Sequence, residues 1–290
     1  MGDPTGDDTV AGRQRGDAVS TRRIVLGVAY DGSGYHGFAA QPGQRTVGGE
    51  LGAALERMTG QQLVCTCAGR TDAGVHATAQ VVHVDLAETF LLGHYGTEAI
   101  SAGRELPRLA EALSSQLGSE IAVWRALVAP EGFDARKSAI ARRYRYDLET
   151  AARPDPRRRS AVWHLEVPVD LAAMRLAADT VLGDHDFAAF CRRAPDQPEG
   201  PIRRRVTVAA FTVPGEGLLR FEIEADSFCH QMVRSIVGAL VAVGTGRLRP
   251  SDVVALLASG RRAGAPSPAP PGGLCLVGVR YPTGLTGAWS

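Results

Sequence analysis

The chain is predicted to be an α+β protein with mainly antiparallel sheets and helices packed on one side. Three observations predict this. Short segments alternate apolar and polar residues, helical segments with apolar residues every three or four positions lie between them, and the order strand, helix, strand, strand, helix, strand occurs roughly twice. At 290 residues, 44% apolar and 22% charged, the chain is long enough for one large or two medium domains with real cores. A disordered or fibrous protein is excluded. The longest apolar run, residues 232–244, carries Arg234 and is too short to span a bilayer, and no apolar signal core opens the chain. A soluble cytoplasmic protein with no membrane contact is therefore expected.

The elements follow in order. Residues 1–20 hold four aspartates against two arginines with no apolar period and read as a disordered leader. Residues 22–30 (RRIVLGVAY) are a β-branched strand stopped at Asp31-Gly32-Ser33-Gly34. Thr46 then caps a helix with Val47, Leu51, Leu55 and Met58 on one face, ending at Gly60. Two strands, 63–67 and 79–86, flank the loop AGRTDAGVH; 86–117 is less regular, with a helix near 109–117, and 121–128 is a strand. In the strand at 143–148, Tyr144, Tyr146 and Leu148 share one face and Arg143, Arg145 and Asp147 the other. A helix at 171–182, a hairpin of 204–213 with 218–226, a long helix from Phe228 capped by Ser227, a short helix at 251–259 and a strand at 274–281 complete the pattern. The expected division is a leader at 1–20, an α+β half at 21–129, a second at 130–285 and a tail at 286–290.

Five cysteines at 65, 67, 191, 229 and 275, an odd number with no CxxC pair, make no disulfide framework, so reduced thiols are expected. The net charge of +1 argues by itself against nucleic acid, yet 31 of the 32 basic residues are arginines, and residues 131–159 carry nine bases against five acids. Arg136, Lys137, Arg142, Arg143 and Arg145 crowd around Tyr144 in sequence, and arginine alternating with tyrosine on a strand suits phosphates and bases. Asp184-His185-Asp186 fits no common metal spacing and reads as a loop leading into Phe187.

The densest site is AGRTDAGVH, where two glycines, Gly69 and Gly74, flank Arg70, Thr71 and Asp72. Glycines permit tight backbone turns, and an arginine two residues before an aspartate can pair with it and orient its oxygens. GRTDAGVHA, with YDGSGYHGF before it and FDARKSAIARRYRY, GDHDFAAF, FCHQMVRSIVG and GLCLVGVRY after it, resembles the tRNA pseudouridine synthase A family in motif and order from about residue 22 to 282.

The resemblance implies a pseudouridine synthase fold: two halves like RNA-recognition or ferredoxin-like domains, with joined sheets and a central cleft. It implies isomerisation of uridine to pseudouridine in the anticodon stem-loop of tRNA, at positions 38 to 40, without cofactor or metal. On it, Asp72 is the catalytic aspartate, Arg70 its partner in displacing the base, and Tyr144 the tyrosine stacked on the base. Phe187, Arg205 and Leu276 line the pocket, and the protein is a homodimer; from the residues themselves, Arg142 and Arg143 in the basic run can bind phosphate, and His230 and Arg234, four apart on the helix from Phe228, either meet phosphate or cap and solvate that helix. The catalytic aspartate either attacks C1′ or removes the C2′ proton, and the sequence leaves both open. Ala39 and Ala40, the stretch Ser114 to Gly118, and Gln231 depart from the family's pattern. These departures leave room for a relative acting on another RNA or a free uridine nucleotide. A non-catalytic RNA-binding module is disfavoured, because pure binding has no use for an aspartate facing phosphates.

Overall fold

The computed structural model describes residues 20–103, 105–193, 200–283 and 288–289; the expected leader lies outside them but for residue 20, and of the expected tail residues 288–289 are described and pair with the strand at 274–280. The elements are β1 (Thr21–Tyr30), α1 (Val47–Thr59), β2 (Thr66–Cys67), β3 (His76–Ala87), α2 (Glu88–Ser101), α3 (Pro107–Leu117), β4 (Ile121–Val128), β5 (Ala141–Glu149), β6 (Trp163–His164), α4 (Leu171–Asp179), β7 (Gly183–Asp186), β8 (Arg203–Gly215), β9 (Leu218–Ala225), α5 (Met232–Gly244), α6 (Pro250–Ser259), β10 (Leu274–Arg280) and β11 (Ala288–Trp289). All strands belong to one sheet whose main path runs β4-β1-β3-β10-β5-β9-β8-β7. Most neighbours are antiparallel. The exception at the centre is β3 with β10, a parallel pairing of His76 with Cys275 and Ala77 with Leu276. Strands from before residue 130 thus lie on one side of that seam and later strands on the other. The mixed α+β class with joined sheets is the architecture expected.

Local chemistry explains the best-read elements. Thr46 accepts a hydrogen bond from Gly49 N at 3.2 Å, and Gly60 ends α1 in the left-handed region at φ 71°. β1 buries Ile24, Val25, Leu26 and Val28 completely between β3 and β4, as a central strand must. α5 is buried along most of its length, which its apolar run requires, and α4 packs on both α5 and α6. None of the helices among the described residues is long and apolar enough to cross a membrane.

Four expectations need correction. The irregular region after Leu86 contains a helix, α2, which escaped notice because it buries only Leu91 and Ile100 and breaks at Gly96 (φ 78°). Asp184-His185-Asp186 forms the edge strand β7 rather than a loop; Asp186 Oδ1 accepts from Ala188 N at 3.0 Å and Ile202 N at 2.7 Å, a structural role. Ser227 is no helix cap: its hydroxyl bonds Asp226, and α5 starts five residues later, after Gln231, the one non-glycine described residue with positive φ (64°). Lastly, Cys191 and Cys229 form a disulfide, their Cα atoms 5.7 Å apart, while Cys65, Cys67 and Cys275 are free. A 38-residue separation hid the pair: the β8–β9 hairpin carries the chain out and returns it beside the turn at Ala188–Phe190.

The Thr46 cap yields a direct test. Thr46→Ala is expected to lower stability by about 1 kcal/mol, and Thr46→Ser by only a few tenths, measured by urea unfolding.

Candidate active site

The loop from Arg70 to Val75 connects β2 to β3 and is held from behind by the Asp31–Phe38 segment. Thr71 is buried; its Oγ1 shares a 2.8 Å hydrogen bond with the Tyr30 hydroxyl, and its carbonyl accepts from Phe38 N at 3.2 Å. Gly74 N donates to Tyr35 O and Val75 N to Asp72 O, each at 3.2 Å. The glycines are sterically required. A Cβ at Gly37, whose φ is 93°, would stand 2.7 Å from the Thr71 carbonyl, and one at Gly32 would collide with the Val75 carbonyl. The role of the YDGSGYHGF motif is therefore to cradle this loop.

Thus braced, Asp72 turns toward the last third of the chain. Arg234 Nη1 donates to its Oδ2 at 3.1 Å, while His230 Nε2 lies 3.5 Å from Oδ1. Arg234 is only 15% exposed and is itself fixed by Nε donation to Ala269 O at 2.8 Å, so it presents its charge in one direction. Asp72 remains 25% exposed, leaving an open side.

Tyr144 on β5 forms the apolar neighbour of this carboxylate. It is buried, with its ring edge-on to Phe228 at 5.1 Å and its β10 neighbour Leu276 in register and fully buried. Burial raises the phenol's pKa well above its ordinary value, Arg142 lowers it in part, and the negative charge of Asp72 adds to the rise. The hydroxyl is therefore protonated throughout the neutral range. Gly69 faces it, where a Cβ would be 3.6 Å from the oxygen. A carboxylate fixed by the Arg234 guanidinium with the His230 ring close by, one side open and an aromatic wall beside it, can act on a sugar carbon while a planar base rests on the ring.

Residues 177–282 match the family described as tRNA pseudouridine synthase. A tRNA pseudouridine synthase A of Frankia casuarinae is 43% identical over 262 residues, covering 90% of this chain and 89% of the relative. Those of Chromobacterium violaceum and Halalkalibacterium halodurans are 40% and 39% identical, over 90% and 87% of this chain and 93% and 90% of theirs. The chain belongs to the tRNA pseudouridine synthase A family.

Within that family's motif set, the structure gathers Asp72, Tyr144, Leu276, His230 and Arg234, and separates others. Arg70 is exposed, and the arginine that pairs with Asp72 is Arg234, reached from the opposite half of the chain. Arg142 is buried with its donors on the carbonyls of Ala68, Arg136, Ala139 and Asp226. It braces the synthase loop from below rather than facing phosphate. Arg143 lies on the opposite face of β5 from Tyr144, paired with Glu222 at 2.7 Å, since alternate residues of a strand point oppositely. Phe187 is fully buried against His185 and Phe190, and Arg205 is 67% exposed beside Asp184 at 3.6 Å. A cavity of about 360 Å³ lined by His76, Arg145, Asp147 and Ser160 includes none of Arg70, Asp72 and Tyr144.

Phe228 and the glycine cradle were missed as site components. Phe228 and Gly37 were visible only as letters of motifs, and Gly32 only as part of a turn signal. Gly37→Ala is expected to displace the Asp72 loop, cutting turnover at least about tenfold and costing roughly 1–3 kcal/mol of stability. Single-turnover kinetics and thermal unfolding measure the two effects.

Proposed function

We propose that the protein is a tRNA pseudouridine synthase, an isomerase that converts uridine to pseudouridine in the anticodon stem-loop at positions 38 to 40. The observation that carries this is Asp72, held by Arg234 and His230 beside the buried Tyr144 in a chain of this family. In the reaction the N1–C1′ bond breaks, the base turns, C5 bonds to C1′, and the C5 hydrogen leaves while N1 gains one. No net oxidation occurs. Asp72 begins the sequence either by attacking C1′ or by taking the C2′ proton, and its fixed geometry suits both.

Arg234 and His230 keep the carboxylate aimed as the base departs. Tyr144, with Phe228 behind it and Leu276 alongside, offers an apolar face for the flipped uracil and limits water's access to the sugar intermediate. Its neutral hydroxyl is available for proton movement at C5. Arg70, exposed beside Asp72 in sequence, is free to enter the space the base vacates. The RNA backbone meets mixed charge rather than a uniformly basic wall, so binding depends on RNA shape as well as on counterion release. The family reading also carries a homodimer and a cytoplasmic location; light scattering at about twice the 30.6 kDa chain mass tests the first.

Incubated with unmodified tRNA transcript, the purified protein should form pseudouridine, revealed by carbodiimide treatment and primer-extension stops within the anticodon stem-loop. Asp72→Asn should lower the rate about 10³-fold or more while leaving tRNA binding within about threefold. No product on tRNA, or a fully active Asp72→Asn protein, would refute the assignment. Tyr144 supplies a pH test. Its phenol pKa is raised, so the acid form persists to higher pH, and no rate change attributable to its ionisation should occur between about pH 6 and 10. Tyr144→Phe should lower the rate without changing the shape of the pH profile across that range.

A further inference from the structure

We propose that the Cys191–Cys229 disulfide is a positioning element of the active site and a thiol-oxidation site through which redox conditions set the rate. The inference rests on the reading of Asp72 as the catalytic carboxylate.

Cys229 stands between the two residues that shape the site. Phe228 packs edge-on against Tyr144 at 5.1 Å, and His230 Nε2 lies 3.5 Å from Asp72. All three belong to the irregular segment between β9 and α5, which lacks the repeating hydrogen bonds of either element. Phe228 and Cys229 are only partly buried, and His230 is exposed. Its descent into α5 passes through Gln231 at φ 64°, a conformation that L side chains adopt at a cost. Left to itself, such a segment samples alternatives.

Two ties oppose that freedom, and both come from the same short stretch of chain. Arg192 N donates to His230 O at 2.9 Å, and the neighbouring Cys191 is bonded to Cys229. Cys191 is itself well anchored. It is buried and follows the turn Ala188–Phe190, whose three residues are buried, and its own N–H bonds to Ala188 O. The disulfide therefore connects the least regular part of the site to the core. Without it, the two ends of the segment stay held, Asp226 O by Arg142 and Cys229 O by Met232 N, but only the bond from Arg192 N to His230 O ties its middle to the core, so Phe228 and His230 gain room to shift from Tyr144 and Asp72.

The linkage forms by thiol–disulfide exchange. Forming the bond removes one proton and one electron from each thiol, and a low-molecular-weight disulfide such as oxidised glutathione accepts them and leaves as two thiols. A dithiol reductant reverses the step. The other thiols resist: burial raises Cys65 to about 12 and Cys67 to about 11 and also raises Cys275, so little thiolate is available.

The full-length protein is equilibrated with oxidised glutathione or with dithiothreitol and assayed on tRNA transcript under single-turnover conditions, with non-reducing peptide mass spectrometry of each sample. The expected result is a Cys191–Cys229 peptide in the oxidised sample only, and a rate about fivefold or more lower in the reduced one, with tRNA affinity within about twofold and full recovery on reoxidation. A Cys65→Ser, Cys67→Ser, Cys275→Ser triple variant should retain the response. The Cys191→Ser, Cys229→Ser double variant should show the reduced rate under both conditions. Failure of the linkage to form, equal rates in the two samples, or loss of the reduced protein's circular-dichroism fold at assay temperature would overturn the proposal. An oxidised protein with the linkage but no activity on any RNA would instead overturn the functional reading on which it rests.

Discussion

A carboxylate that is mostly withdrawn from water needs a fixed cation, and Asp72 obtains one from a residue 162 positions later in the chain. That requirement organises much of the rest. For Arg234 to reach Asp72, α5 must meet the loop that precedes β3, and β10 must lie between β3 and β5. The two-residue parallel pairing of β3 with β10 achieves this with very little main-chain bonding, so the seam depends on side chains that cross it. Arg142 is one of them: from β5 it binds Ala68 O on the far side of the seam and Asp226 O on its own, linking the approaches to Asp72 and to Phe228. Tyr281 does similar work near the far end of β10, donating to Ala135 O.

Charge is arranged by strand pleating more than by composition. The basic run around Tyr144 divides between the two faces of β5. Arg142 goes inward to carbonyls, while Arg143 pairs with Glu222 and Arg145 lies 3.6 Å from Asp147, which also pairs with Arg220. Arg280 on β10 and Glu224 on β9 extend this lattice, in which the arginines keep part of their surface in water while Asp147 is buried. These pairs neutralise the face and keep it from being a simple phosphate platform. The near-zero net charge is thus realised locally, and the cation paired with Asp72 is Arg234.

Much of this was legible in advance. The period of three to four in residues 47–58, with threonine before it and glycine after it, specifies α1 to the residue, the apolar run at 121–128 marks β4, and alternation in residues 143–148 marks β5 but not its ends at Ala141 and Glu149. Asp72 and Tyr144 stood out because their motifs lie in order along the chain. α2 did not stand out, since a helix that buries two residues nine apart leaves no periodic trace. Ser227 misled because serine before an apolar run is an ordinary cap, and nothing local reveals that Cys229 and His230 are held elsewhere by Cys191 and Arg192.

The sequence by itself determined the α+β class, most strands and helices and the family motifs, because these depend on short-range periodicity, turn chemistry and motif order. The tertiary structure alone decided which cation meets Asp72, which arginines face inward, and that two cysteines 38 residues apart meet. Those are outcomes of where distant elements cross, and crossing is set by the sheet order β3-β10-β5-β9 and the packing around it, which no local pattern encodes.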